Sequence, residues 1–189
     1  MSTTRAKGTN FRAFVPALRR LRGEAALART IELCPRDVGD TLRVNGFVTS
    51  GWYPIEQFAQ IHDAAQRACN EGPELSRLLG RDGVHEDFKT GVNRLITLAL
   101  TPEALFKWAP RVLGLYYDRG RIVIEESSVG RAMGRFEGFD GFTRGVWEDL
   151  IGGCVGTLEL AGAKNVVVRV LSGGQDGDAH LGISVRWTT

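Results

Sequence analysis

The spacing of apolar residues divides the chain into a helical first part and a mainly stranded last third. Phe11, Phe14, Val15, Leu18 and Leu21 recur at helical spacing among arginines, which predicts a basic amphipathic helix with one packed face, ending at Gly23. Residues 24–33 and 36–43 follow as short helices. Pro35 separates them, because its fixed φ and missing N–H end the first and suit the start of the second. Residues 45–51 read as a loop. Pro54 then opens a long helix with Ile55, Phe58, His62, Ala65 and Cys69 on one face, stopped by Asn70, Glu71, Gly72 and Pro73. Residues 74–79 read as one or two turns ended by Gly80. Phe88, Val92, Leu95, Ile96 and Ala99 mark a helix over residues 85–100. Thr101 suits an N-cap, with Pro102 at the first helical position and Glu103 near the positive end of the dipole. That helix carries Leu105, Phe106, Ala109, Val112, Leu113 and Tyr116, and a kink is expected at Pro110.

Beyond residue 120 the period shortens to two. Ile122 and Ile124 alternate with Val123 and Glu125, residues 127–130 turn the chain, and residues 133–137 return as the second arm of a hairpin. Phe142, Val146, Trp147, Leu150, Cys154 and Leu158 then mark a helix over residues 142–160. Two further strands are expected at residues 166–171 and 181–187. The fold class is therefore α+β, with N-terminal helices followed by an antiparallel sheet of about four strands and a crossing helix. Gly152, Gly153 and Gly156 weaken that helix by about 1 kcal/mol each relative to alanine. Their presence predicts a close approach to the sheet or to a second subunit, and a symmetric homodimer is a further expectation.

Composition adds limits. At 189 residues with 43% hydrophobic and 24% charged side chains, the chain is read as one domain over residues 1–189. No apolar run reaches the length of a membrane span, and the basic N-terminus lacks the apolar stretch of a signal peptide, so a cytoplasmic location is expected. Cys34, Cys69 and Cys154 are three in number, far apart and without a CxxC pair, which disfavours a disulfide framework or a zinc site. The net charge of +2 is uneven. Residues 1–30 carry seven bases and one acid, leaving 17 bases and 21 acids for the rest. A solvated basic face on a docked helix is expected there. Nucleic acid is disfavoured, since no aromatic or glycine-rich recognition motif accompanies the arginines.

The candidates for chemistry are few. His62 falls on an apolar helix face without an indicated partner, as a hydrogen-bonded core histidine does. His85 and His180 lie near Asp87 and Asp178 in edge-like sequence. Glu125 and Glu126 are adjacent on a strand and point to opposite faces, the wrong geometry for a paired-carboxylate site. Residues 173–177 are glycine-rich but join two strands rather than opening a helix, which disfavours a phosphate loop. If part of the aromatic set lines a cavity, an apolar ligand fits best.

A whole-chain resemblance rests on motif order. Lys7-Gly8-Thr9-Asn10-Phe11 and the basic helix ending at Gly23, the helix-rich middle, and the closing order strand, strand, helix, strand, strand resemble the heme nitric-oxide/oxygen-binding (H-NOX) superfamily. That superfamily also includes 4-vinyl-reductase-type domains and TRAPP small subunits. Gly51-Trp52-Tyr53-Pro54, Leu79-Gly80-Arg81, Ala109-Pro110-Arg111 and Tyr116-Tyr117 are most similar to a group of bacterial proteins abundant in myxobacteria. In the gas-sensing members the resemblance implies a heme-ligating histidine early in the mid-chain helix and a Tyr-x-Ser-x-Arg motif for the propionates. Here Leu105 stands about where that histidine would lie, and Gly134-Arg135-Phe136-Glu137-Gly138-Phe139 replaces the propionate motif. The paired cysteines of the vinyl-reductase branch are absent as well. No cofactor is therefore expected, and heme and metal are both disfavoured, since leucine offers iron no donor. What the resemblance implies is a non-catalytic cytoplasmic sensory or adaptor domain for a small apolar ligand or a protein partner. The alternative is a heme-binding gas sensor with an altered axial ligand, and an enzyme ranks third. The expected ligand-binding residues are Leu105, Trp108 and Val112, facing Phe136, Phe139 and Trp147.

Overall fold

The computed structural model describes residues 3–87 and 101–189. The chain opens with strand β1 (Arg5–Lys7) and helix α1 (Gly8–Leu33), followed by α2 (Arg36–Arg43), β2 (Trp52–Pro54) and α3 (Ile55–Cys69). α1 is two helical runs joined at Gly23, whose φ of 87° and ψ of 173° interrupt the helical backbone where the sequence places the end of the basic helix. β1 and β2 pair antiparallel as a small two-stranded sheet, with Ala6 opposite Tyr53. Neither strand was legible in the sequence, because three residues are too few for a period of two to register.

Helix α4 (Glu74–Asp87) corrects the expectation of a short turn ending at Gly80. Gly80 lies inside the helix, where a Cβ would collide with the carbonyl oxygen of Asp149. It serves close packing rather than termination. His85 falls in this helix, and the rest of the helix expected over residues 85–100 lies, from residue 88 on, outside the described residues. Helix α5 (Pro102–Tyr116) begins as expected, with Ala104 N–H donating to Thr101 Oγ1 at 3.3 Å, and it runs on through Pro110.

The hairpin β3 (Arg121–Ser128) and β4 (Arg131–Glu137) leads into α6 (Arg144–Leu160), then β5 (Lys164–Gly173) and β6 (His180–Thr188). These strands form one antiparallel sheet in the order β3-β4-β6-β5, with Phe136 opposite Leu181 and Gly134 opposite Ile183. The last strand buries Leu181, Ile183, Val185 and Trp187 and exposes Arg186, with Gly182 on the opposite face also buried. Trp187 stacks on Phe106 of α5 at 5.4 Å, so this face meets a helix of the same chain.

The glycines of α6 also find their partner within the chain. A Cβ on Gly152 would collide with the carbonyl oxygen of Arg77, and one on Gly156 would lie 2.8 Å from the carbonyl oxygen of Arg81. The close approach is thus to α4, rather than to the sheet or a second subunit. Much of the basic charge of α1 is likewise paired internally. Arg20 meets Asp82 and Glu86 of α4, Arg22 meets Glu71, and Arg5 in β1 meets Asp118, while Arg12, Arg19, Arg20 and Arg29 keep the expected basic face exposed. No described helix is long and apolar enough to cross a membrane.

Candidate ligand cavity

Where α1, α4, α5, α6 and the sheet converge, they leave a mainly apolar cavity of about 180 Å³. α5 contributes Leu105, Phe106, Val112 and Leu113, and the sheet contributes Ile122, Phe136, Ile183 and Val185. Phe14 of α1 and Phe58 of α3 close another side. The size is informative: an engineered apolar cavity of about 150 Å³ admits benzene.

Of the six residues singled out in the sequence, Leu105, Val112 and Phe136 line this space. Trp108 does not. It is 44% exposed, with the Arg111 guanidinium 4.9 Å from its ring centroid, because it lies on the outward face of α5. Phe139 and Trp147 are fully buried but lie outside the cavity wall, in an aromatic cluster with Tyr117 and Phe142. Trp147 packs 4.6 Å from Phe142 and 5.6 Å from Phe139, centroid to centroid. These rings support the wall rather than form it.

The sequence reading missed the polar part of the wall. Asp149 of α6 lines the cavity, and its carboxylate Oδ1 lies 3.5 Å from His62 Nε2. His62 is completely buried on α3. Its Nδ1 is 2.9 Å from Ser76 Oγ, which also accepts a hydrogen bond from Gln66 Nε2 at 2.9 Å. With Ser76 donating to Nδ1, the imidazole proton sits on Nε2, the nitrogen 3.5 Å from the Asp149 carboxylate. That nitrogen forms no hydrogen bond. Burial holds His62 neutral, lowering its pKa to about 3, and raises the Asp149 carboxyl to about 8. At neutral pH the pair is therefore largely an uncharged imidazole beside a protonated acid. The available signal was placement: Asp149 falls on the same face of the helix as Gly152, Gly153 and Gly156.

The cavity can be tested as a seat for heme through its donors. None of the described lining residues is a histidine. The cavity's side chains of ligating type include Tyr116, Tyr117 and Cys154, and burial holds two of these protonated: the Cys154 thiol is pushed up to about 12, and the Tyr117 phenol lies well above its usual range. His62 is engaged by Ser76, and His85 pairs with Glu159 at 3.2 Å. Nor do the described lining residues include a lysine or arginine for propionates. This donor set does not fit a heme iron. Among the described residues, no group of three or more His, Cys, Asp or Glu side chains is placed to hold a metal ion.

The architecture defines the class of fold: the chain has the fold of the H-NOX domain. It matches an oxygen-binding H-NOX domain related to soluble guanylate cyclases with a TM-score of 0.69 at 13% identity, covering 97% of this chain and 95% of that one. An Fe(II) unliganded H-NOX protein from K. algicida gives a TM-score of 0.72 at 10% identity, covering 97% of both chains. A single-site mutant of the T. tengcongensis H-NOX gives 0.66 at 12% identity, covering 97% of this chain and 98% of that one. No protein-family model and no curated protein matches the sequence.

Proposed function

We propose that this chain is a non-catalytic sensory domain that takes a small, mainly apolar organic molecule directly into the cavity between α5, α6 and the sheet. The observation that carries this reading is the wall itself, which offers apolar surface from five helices and the sheet and, among the described residues, no histidine for iron. Such a cavity with a single carboxyl group is the usual composition of a small-molecule site. All three cysteines are free, which supports placing the protein in a reducing compartment such as the cytoplasm.

A second reading, a heme-binding gas sensor, draws more support from the fold neighbours than the first does, since their descriptions name oxygen and Fe(II). Against it stand Leu105 on α5 and the protonated Cys154 and Tyr117. The two readings separate in an absorption spectrum of the purified protein, before and after adding hemin. The first predicts no Soret band on purification and only unsaturable, nonspecific hemin uptake. A saturable one-to-one Soret shift would establish the second in its place.

A further inference from the structure

We infer that the molecule this cavity recognises carries one amine group on a compact apolar body, with Asp149 as the recognition group. This inference rests on the reading of the cavity as a small-molecule site and adds the ligand's chemical class.

The Asp149 side chain keeps 15% of its exposure and lines the cavity, and it has His62 Nε2 at 3.5 Å, a contact that is not a hydrogen bond. Among the described residues, the titratable groups facing it are the neutral His62 from α3, Tyr117 just after α5, and Cys154 farther along its own helix. None carries a positive charge. From α4, Gly80 packs against the Asp149 backbone. The nearby arginines of α4 are committed to other acids, Arg77 to Glu148 and Arg81 to Glu159. A carboxylate in such surroundings is destabilised for want of a counter-charge, which is why the free protein holds it protonated.

A ligand that brings an ammonium group supplies that counter-charge. It enters as the ammonium ion, the Asp149 carboxyl releases its proton to solvent, and the ion pair forms inside a wall of low polarity, where such a contact is strong. An apolar molecule without a donor gains only the burial of its surface. A carboxylate-bearing molecule meets a second acid, with no cation among the described lining residues to neutralise either. The volume limits the body to about one aromatic ring with a short chain, by comparison with a cavity of about 150 Å³ that admits benzene.

The experiment is isothermal titration of the intact protein at pH 7 with benzylamine, toluene and phenylacetate, with the benzylamine titration repeated in buffers of different ionisation enthalpy. The inference expects benzylamine to bind at least tenfold more tightly than toluene, phenylacetate not to bind, and the buffer series to show proton release. In Asp149→Asn the affinity ratio of benzylamine to toluene should fall at least tenfold. The comparison within the native protein needs no variant, so it stands even if Asp149→Asn fails to fold. Toluene binding as tightly as benzylamine, or benzylamine binding without proton release, would overturn the amine inference while leaving the apolar cavity intact. Failure of both toluene and benzylamine to bind would overturn the cavity reading together with it.

Discussion

Two buried groups that titrate in opposite directions give the His62–Asp149 pair a distinct pH signature. His62, with a folded pKa of about 3 against an ordinary value of 6.5, stays uncharged while the unfolded chain takes up a proton. Its contribution to stability is present above pH 6.5 and is lost as pH falls towards 3. Asp149, at about 8 against 3.8, keeps its proton while the unfolded chain gives one up. Its contribution is full below pH 3.8 and is lost as pH rises through 8. Between about pH 4 and 6.5 the two slopes oppose one another, and from 6.5 to 8 the Asp149 term acts without opposition from His62. The expected outcome is a denaturation midpoint that falls from pH 6.5 to 8 in the native protein and loses this fall in Asp149→Asn, as followed by urea melts at half-unit pH steps. At this scale the sequence was legible only in part. The helical spacing of Phe58 and His62 identified a buried histidine, and the pattern Leu105, Val112 anticipated one wall of the cavity. Asp149 was hidden because an acid between Trp147 and Leu150 reads as a polar interruption until α3 and α4 are known to cover it.

The packing of α4 on α6 is the element-scale feature most open to test, because adjacent glycines in α6 have different surroundings. A side chain at Gly152 meets the backbone of Arg77, which cannot swing aside. One at Gly153 has Val84 Cγ2 at 3.6 Å, an ordinary contact. Gly152→Ala should therefore destabilise the protein by about 1 to 3 kcal/mol through overpacking. Gly153→Ala should be neutral or stabilising by up to about 1 kcal/mol through helix propensity. Thermal melts of the two variants side by side check this. Similar destabilisation in both would mean the helices do not approach as described. The four strands of the large sheet, α5 and α6 were readable to within a few residues because each is long enough for its apolar pattern to register. α4 was cut short in the sequence reading because a glycine placed for contact has the same letter as one placed for termination.

At the scale of the whole molecule, the cavity exists because α5 spans one side of the sheet while α1, α4 and α6 close the space beyond it. Its shape depends on the rings behind the wall. Trp147 is completely buried against Phe142 and Phe139, so Trp147→Ala should cost about 3 to 5 kcal/mol in denaturant unfolding. A loss under about 1 kcal/mol would show that the cluster is not a supporting core. The overall class was legible because the order of helices and strands is a long-range pattern, whereas the cavity depends on which faces meet. That is why Trp108, apolar and on the right helix, falls on the outside. The most direct test of a small-molecule cavity is a methyl-resolved NMR titration of the native protein with toluene. Saturable shifts should be confined to the methyls of Leu105, Val112, Ile183 and Val185 and their immediate neighbours. Shifts that are absent, unsaturable, or centred on exposed residues such as Val167 and Leu171 would contradict it.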